Sequence, residues 1–275
     1  MASKSEPATG AGAGTATGTD SRHKIRIGVF VPFGCQLLDL ACVDIFGTMS
    51  YEYQSPLTDF IPKPIVNLAP SVEIYYIGSV QPGELIELTS AMNIRCTHHM
   101  SSPEVQPGKL DIVMIPGPDP SIAVTDEVEK WVAGHFAVPT TDILSICTGA
   151  FICGEAGILR GKKFCGPRGG QDVLQAKFGD QGVDWQGGEL RWVQDGNLWS
   201  SGGITNGNDL VAAYARHQTH HFPGPLAEFA IMMTEVGDRP QQYTQSQASV
   251  TIGVVWQIIK AVFMGFGGKN KSKTS

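Results

Sequence analysis

No CxxC pair and no zinc-ligand spacing join the six cysteines of this 275-residue chain, Cys35, Cys42, Cys96, Cys147, Cys153 and Cys165. Zinc ribbons and thioredoxin-type motifs are thereby excluded. No run of lysines and arginines reads as an electrostatic footprint for nucleic-acid phosphates, and the net charge is −6. A phosphate footprint is missing, and nucleic acid is not expected as a partner. The glycine-rich GGITNG has neither the Walker lysine nor GxGxxG spacing, which argues against nucleotide binding. The opening MASKSEPATGAGAGTATGTDS lacks an apolar core and carries only Lys4 as a base, unlike a signal or transit peptide. Residues 1–23 are expected to form a disordered leader. The cysteines are then expected as free thiols in a reducing cytoplasm. No repeat of fixed period occurs.

What is present is a globular composition, 42% hydrophobic and 17% charged, enough for one large domain with extended ends. From Lys24 the pattern changes abruptly. KIRIGVFVPF, SVEIYYIGSV, LDIVMIPG and DILSIC read as buried strands. LLDLACVDIFGTM, DEVEKWVAGHF, GNDLVAAYAR and PLAEFAIMMTEV read as helices, and LRWVQDGNLWSSGG as a hairpin. Strands alternating with helices predict an α/β fold, a mostly parallel central sheet with helices on both faces. Ligands in such sheets sit beyond the carboxyl ends of the strands. Asp39, Gly117 and Cys147 each follow a predicted strand, so three segments converge on one rim.

ILSICTGAFICGEAGIL frames Cys147 with Ser145 two places before and Gly149 two places after. A nucleophile on a sharp strand-to-helix turn needs small neighbours at those positions. A helix N-terminus there predicts a lowered thiol pKa. The blander readings are a buried small hydrophobe for Cys147, kept for Cys153 and Cys165, and a helix cap for Asp39. His217, His220 and His221 of RHQTHH stand at helical spacing, which a solvated cluster at a helix end explains without a metal. The pair His98 and His99 suggests a metal still less.

Asp39 in LLDLACVDIF, the strand end IVMIPG, the elbow SICTGAFICGEAGILRGKK and WSSGGITNGNDLVAAYAR occur in the order found in the ThiJ/PfpI superfamily. The chain resembles these class I glutamine-amidotransferase-like proteins over roughly residues 24–240, and within them most resembles the isonitrile-hydratase branch. The resemblance implies a flavodoxin-like sandwich, a homodimer, and no metal or organic cofactor. It implies Cys147 as nucleophile and Asp39 as the carboxylate that holds or shuttles its proton. Gly117, Pro118, Thr148, Gly203 and Ile204 would supply the oxyanion and substrate-binding surface. Two positions depart from the family pattern. Pro118 stands where a second glycine commonly donates an N–H, leaving Gly117 or Asp119 as donor or a weaker oxyanion hole. Pro167 stands roughly where relatives with protease or glyoxalase/deglycase activity carry a histidine, which weakens those readings.

The implied reaction is hydration of an isonitrile, or a similar small electrophile, to an N-substituted formamide by a cofactor-independent lyase. The rivals are a non-catalytic or redox-sensing member of the superfamily and a glyoxalase/deglycase-type enzyme. The domain reading is 24–245 for the main body and 246–275 for an amphipathic helix with a polar tail. In that helix Ile252, Val255, Trp256, Ile259, Val262, Phe263 and Phe266 form a stripe opposite Gln257 and Lys260. The run is read as too short to span a membrane. Packing on the body or on a second subunit is expected, with membrane-surface contact as the alternative.

Overall fold

The computed structural model describes residues 22–269, with side chains through Met264. Residues 1–21 of the expected leader, residues 270–275 of the polar tail and the side chain of Phe266 lie outside the described residues. Arg22 and His23, read as the end of the leader, lie against the body. The Arg22 guanidinium is 3.6 Å from the Tyr51 ring centroid, and His23 Nε2 is 3.3 Å from His221 Nδ1.

Alternating Ile25, Ile27 and Val29 start β1 (Lys24–Phe30), and they bury on one face while Phe30 buries on the other. Two short helices follow, α1 (Leu37–Leu40) and α2 (Val43–Thr48), where the sequence predicts one. The break lies at Ala41-Cys42. Asp44 N–H bonds back three residues to the Ala41 carbonyl at 3.1 Å, and the Cys42 thiol bonds the Asp39 carbonyl at 3.2 Å. These tighter turns rotate the chain between the two helices.

The next strands are β2 (Ser71–Gly78), β3 (His98–His99) and β4 (Ile112–Ile115). All four residues of β4 are buried, as a central parallel strand covered on both faces requires. After it come α3 (Asp126–Phe136), β5 (Asp142–Ile146), α4 (Gly149–Glu155) and α5 (Gln171–Phe178). Thr125 caps α3, and Asp126, Glu127 and Glu129 occupy its first turn, where acids oppose the helix dipole. The chain continues through the hairpin β6 (Trp192–Asp195) and β7 (Leu198–Ser201) to α6 (Asn206–His217), α7 (Gly224–Thr234) and α8 (Gln247–Lys269).

The seven strands lie in the order β6-β7-β5-β4-β1-β2-β3. Every pair is parallel except β6 with β7. Ile27 registers with Ile74 on one side and Ile112 on the other. Two cores result. One packs Phe46, Tyr214 and Phe222 from α2, α6 and the α6–α7 turn beneath the sheet. The other packs Trp131, Phe151 and Leu174 from α3, α4 and α5 against the opposite face. This is the flavodoxin-like α/β sandwich expected from the sequence. From β1 the order runs outward in both directions, so β1 and β4 flank a topological switch point, where such sheets open a crevice.

Of the expected contacts of the last helix, the one with the body is confined to its first turn, where Gln247 bonds Arg168. None of its described side chains is buried and all but Val250 are exposed, so beyond that turn α8 does not pack on the body. The run is also longer than read, with 23 residues. Its stretch Gln247–Met264 has a mean hydropathy of 1.4 and is long and apolar enough, by length and composition, to cross a membrane.

Candidate active site

Cys147 follows β5 with φ 55°, the left-handed region that a non-glycine residue seldom occupies. The elbow is held there from both sides. A Cβ at Gly149 would lie against the Ile115 carbonyl carbon at 3.3 Å, and its carbonyl oxygen closer still. The small residue two places after the cysteine is therefore a packing requirement between α4 and β4. Ile204 has φ 50°, rarer again for a β-branched residue. Two strained backbones thus meet at one point, the kind of clustering found at functional sites.

Cys147 is buried, at 6% exposure. The backbone N–H groups of Ile204 and Thr148 hydrogen-bond it and favour the thiolate. Burial outweighs them, and the adjacent Asp39 charge adds to it, so the thiol is pushed up to about 11. The sequence expectation of a lowered pKa is therefore corrected. The helix after the cysteine has only seven residues, and its dipole does not offset desolvation beside a carboxylate.

Asp39 is fully buried. It does not cap a helix, because the capping position of α1 is Gln36. Its Oδ2 accepts the Gly117 N–H at 3.2 Å. Its Oδ1 is buried with no hydrogen-bond partner among the described residues, and the Cys147 side chain is a neighbour of the carboxyl. Burial raises the carboxyl from 3.8 to about 6, against the opposing hydrogen bonds of Cys147, Gly117 and the Ile204 N–H. Cys35 and Cys42, which no motif marked, are also near this carboxylate. Burial and the Asp39 charge push Cys35 up to about 12 and raise Cys42 further.

The loop after β4 holds the site without donating to it. The Gly117 N–H, expected for an oxyanion, is spent on Asp39. Pro118 has no N–H to give; its carbonyl accepts the Thr148 hydroxyl at 2.7 Å. That bond ties the β4 loop to the elbow. The N–H donors that do face the sulfur belong to Thr148 and Ile204. Gly203 borders the same point, since a Cβ there would come within 4.0 Å of Sγ.

Among the described residues no histidine shares a hydrogen bond with Cys147 or Asp39. The histidines of RHQTHH take other partners. His217 Nδ1 bonds the Ala213 carbonyl at 2.7 Å, and His221 meets His23. No group of three potential ligands that could hold a metal occurs among the described residues. After Pro167, Arg168 stacks at 4.1 Å on Tyr243, and both line a cavity of about 750 Å³ with Gln171, Trp185, Glu189 and Gln247. Cys147 does not line it. A Cβ at Gly202 would meet Tyr243 Oη at 2.8 Å, and one at the adjacent Gly203 would come within 4.0 Å of Sγ.

Comparison with known proteins agrees with this fold. The description of the DJ-1/PfpI family matches residues 50–217. An isonitrile hydratase of Pseudomonas putida is 25% identical over 156 residues, 56% of this chain and 63% of that protein. The chain thus matches less than two thirds of that relative's length. In fold, the chain is similar to a ThiJ/PfpI family protein from Pseudomonas syringae, with a TM-score of 0.61 at 18% identity, covering 91% of this chain and 93% of that one. It is also similar to DJ-1 of Schizosaccharomyces pombe, with a TM-score of 0.57 at 15% identity, covering 78% and 100%.

Proposed function

The chain belongs to the DJ-1/PfpI family, and from that premise we propose that it is an enzyme adding water to an isonitrile, or a similar small electrophile, to form an N-substituted formamide. The observation that carries this reading is the buried Asp39 carboxyl, raised to about 6, beside the Cys147 thiol. A neutral, linear substrate needs a sulfur nucleophile and one group that can take and return a proton near neutral pH. No histidine is required. The likeness to the Pseudomonas putida isonitrile hydratase supports the same reading.

As the Cys147 sulfur bonds to the terminal isonitrile carbon, its proton passes to the Asp39 carboxylate. Asp39 returns that proton to the same carbon, giving a thioimidate, R–N=CH–S. Asp39, again ionised, then takes a proton from water as the water oxygen adds to that carbon. Asp39 passes that proton to the nitrogen; the C–S bond then breaks, and the proton of the adduct's hydroxyl goes by way of Asp39 to the leaving sulfur, restoring the thiol as R–NH–CHO leaves. The N–H groups of Thr148 and Ile204 steady the sulfur whenever it carries charge.

The same donors and a protonated Asp39 would also hold the oxygens of an oxidised Cys147, which favours redox sensing as a second reading. Turnover separates the two, because a sensor reacts at most once per chain. The decisive assay compares an aryl isonitrile with methylglyoxal, using wild type, Asp39→Asn and Cys147→Ser. The expected result is multiple turnover of the isonitrile in preference to methylglyoxal, with a loss on the order of 10²–10⁴ in Asp39→Asn and at least as much in Cys147→Ser. Preference for methylglyoxal, or full isonitrile activity in Asp39→Asn, overturns the proposal.

A further inference from the structure

Helix α8 exposes every side chain described in it except the half-buried Val250, and its apolar surface is broad. At about 100° per residue, Val254, Ile258 and Val262 form one edge and Ile252, Trp256 and Phe263 the other, spanning more than half the circumference. Each of these six is at least half exposed. Ser249, Gln257 and Lys260 share the remaining side. A partner helix covers only a narrow seam, so one protein contact would leave much of this arc in water. A lipid interface covers all of it.

Charge points the same way. All 26 acidic residues of the chain precede Arg239, whereas five of its 20 basic residues lie from Arg239 onward: Arg239, Lys260, Lys269, Lys271 and Lys273. The body is acidic and the stretch bearing α8 is basic without interruption. Such a stretch complements anionic headgroups. Lys260, 5.5 Å above the Trp256 ring, sits midway along the helix, suited to a helix lying in the plane rather than crossing it. We propose that α8 seats the protein on an anionic lipid bilayer, lying in the interface with its apolar arc inward. Nothing in this depends on Cys147 chemistry.

Flotation of the full chain tests it, with vesicles of phosphatidylcholine containing about 30 mol% phosphatidylserine and with phosphatidylcholine alone. Wild type should float with the anionic vesicles at least tenfold more than with the neutral ones and be released by alkaline carbonate. Ile259→Glu should lose binding at least tenfold with an unchanged melting temperature, while Gln257→Ala floats like wild type. Four results overturn the proposal: no flotation with either vesicle, equal flotation of Ile259→Glu, retention through carbonate as a spanning helix would show, or dissociation of a lipid-free dimer by Ile259→Glu, which would make a second copy the occupant.

Discussion

The backbone N–H of Gly117 donates to Asp39 Oδ2 at 3.2 Å across 78 positions of sequence. This bond joins the loop after β4 to the segment after β1, on the two sides of the switch point. It also couples the two residues. Gly117 holds the carboxylate, and the carboxylate, pressed out of water, keeps an elevated pKa next to sulfur. The acid–base behaviour of the pair should then be visible in solution.

The pH profile of isonitrile turnover should have an acid limb near pH 6. Asp39 must be ionised to accept the thiol proton, and burial sets its titration at about 6. The rate should rise through that value and stay level toward pH 8, because Cys147 remains protonated until about 11. Asp39→Asn should lack the limb in its residual rate. A limb near pH 4, or one that persists in Asp39→Asn, would mean another group controls the chemistry.

Stability should move in the opposite direction. The folded carboxyl titrates near 6 against an ordinary 3.8, so the folded state holds the proton more tightly. Its contribution is fully present below about pH 4 and lost as pH rises through about 6. The difference corresponds to at most about 3 kcal/mol. Asp39→Asn, which carries no charge to bury, should therefore gain about 1–3 kcal/mol over wild type at pH 8 and little at pH 3. Denaturant unfolding at the two pH values measures it; equal differences at both would show that Asp39 is not strained by burial.

The sheet was legible because buried strands and amphipathic helices follow their periods closely, as in β4 and α3. The elbow was legible because a turn at positive φ admits few residue types around Cys147. The electrostatics were not. Whether a thiol is lowered by a helix end or raised by burial depends on how many atoms surround it, and residue spacing carries no such information. The same holds for Cys35 and Cys42, brought to Asp39 by the break between α1 and α2. The exposure of α8 was equally hidden, since an apolar stripe does not say what covers it.

Thiol labelling should follow burial and pKa together. Cys147 is the most exposed of the six cysteines, at 6% against 3% for Cys35 and 0% for the rest, and it is raised less than Cys35 and Cys153, both at about 12. Limited iodoacetamide treatment of the native chain should modify Cys147 first. Its rate at neutral pH should be slow and rise about tenfold per pH unit up to pH 9, following the thiolate fraction. Peptide mapping reads the order, and earlier modification of Cys35 or Cys96 would contradict it.

Gly117→Ala tests the bond between the two sides of the switch point. A methyl group there would stand 2.5 Å from Asp39 Oδ2 and 2.9 Å from the Thr148 nitrogen. Both are fixed by other contacts: Thr148 by the Pro118 carbonyl, and Asp39 by its place inside α1. Overpacking of this kind costs about 1–3 kcal/mol, so the variant should fold with reduced stability. The Asp39 side chain must swing away, losing the Gly117 N–H but regaining water. Burial is the largest influence on its pKa, so the net movement is downward, and the acid limb should fall below 6. Turnover should drop on the order of 10²-fold as the proton carrier leaves hydrogen-bond reach of the thiol. Cys147 should still label first, because its elbow is formed by Gly149 and β5 rather than by Gly117. A folded Gly117→Ala enzyme with the wild-type rate and a limb still near 6 would show that Asp39 is held by something other than this amide.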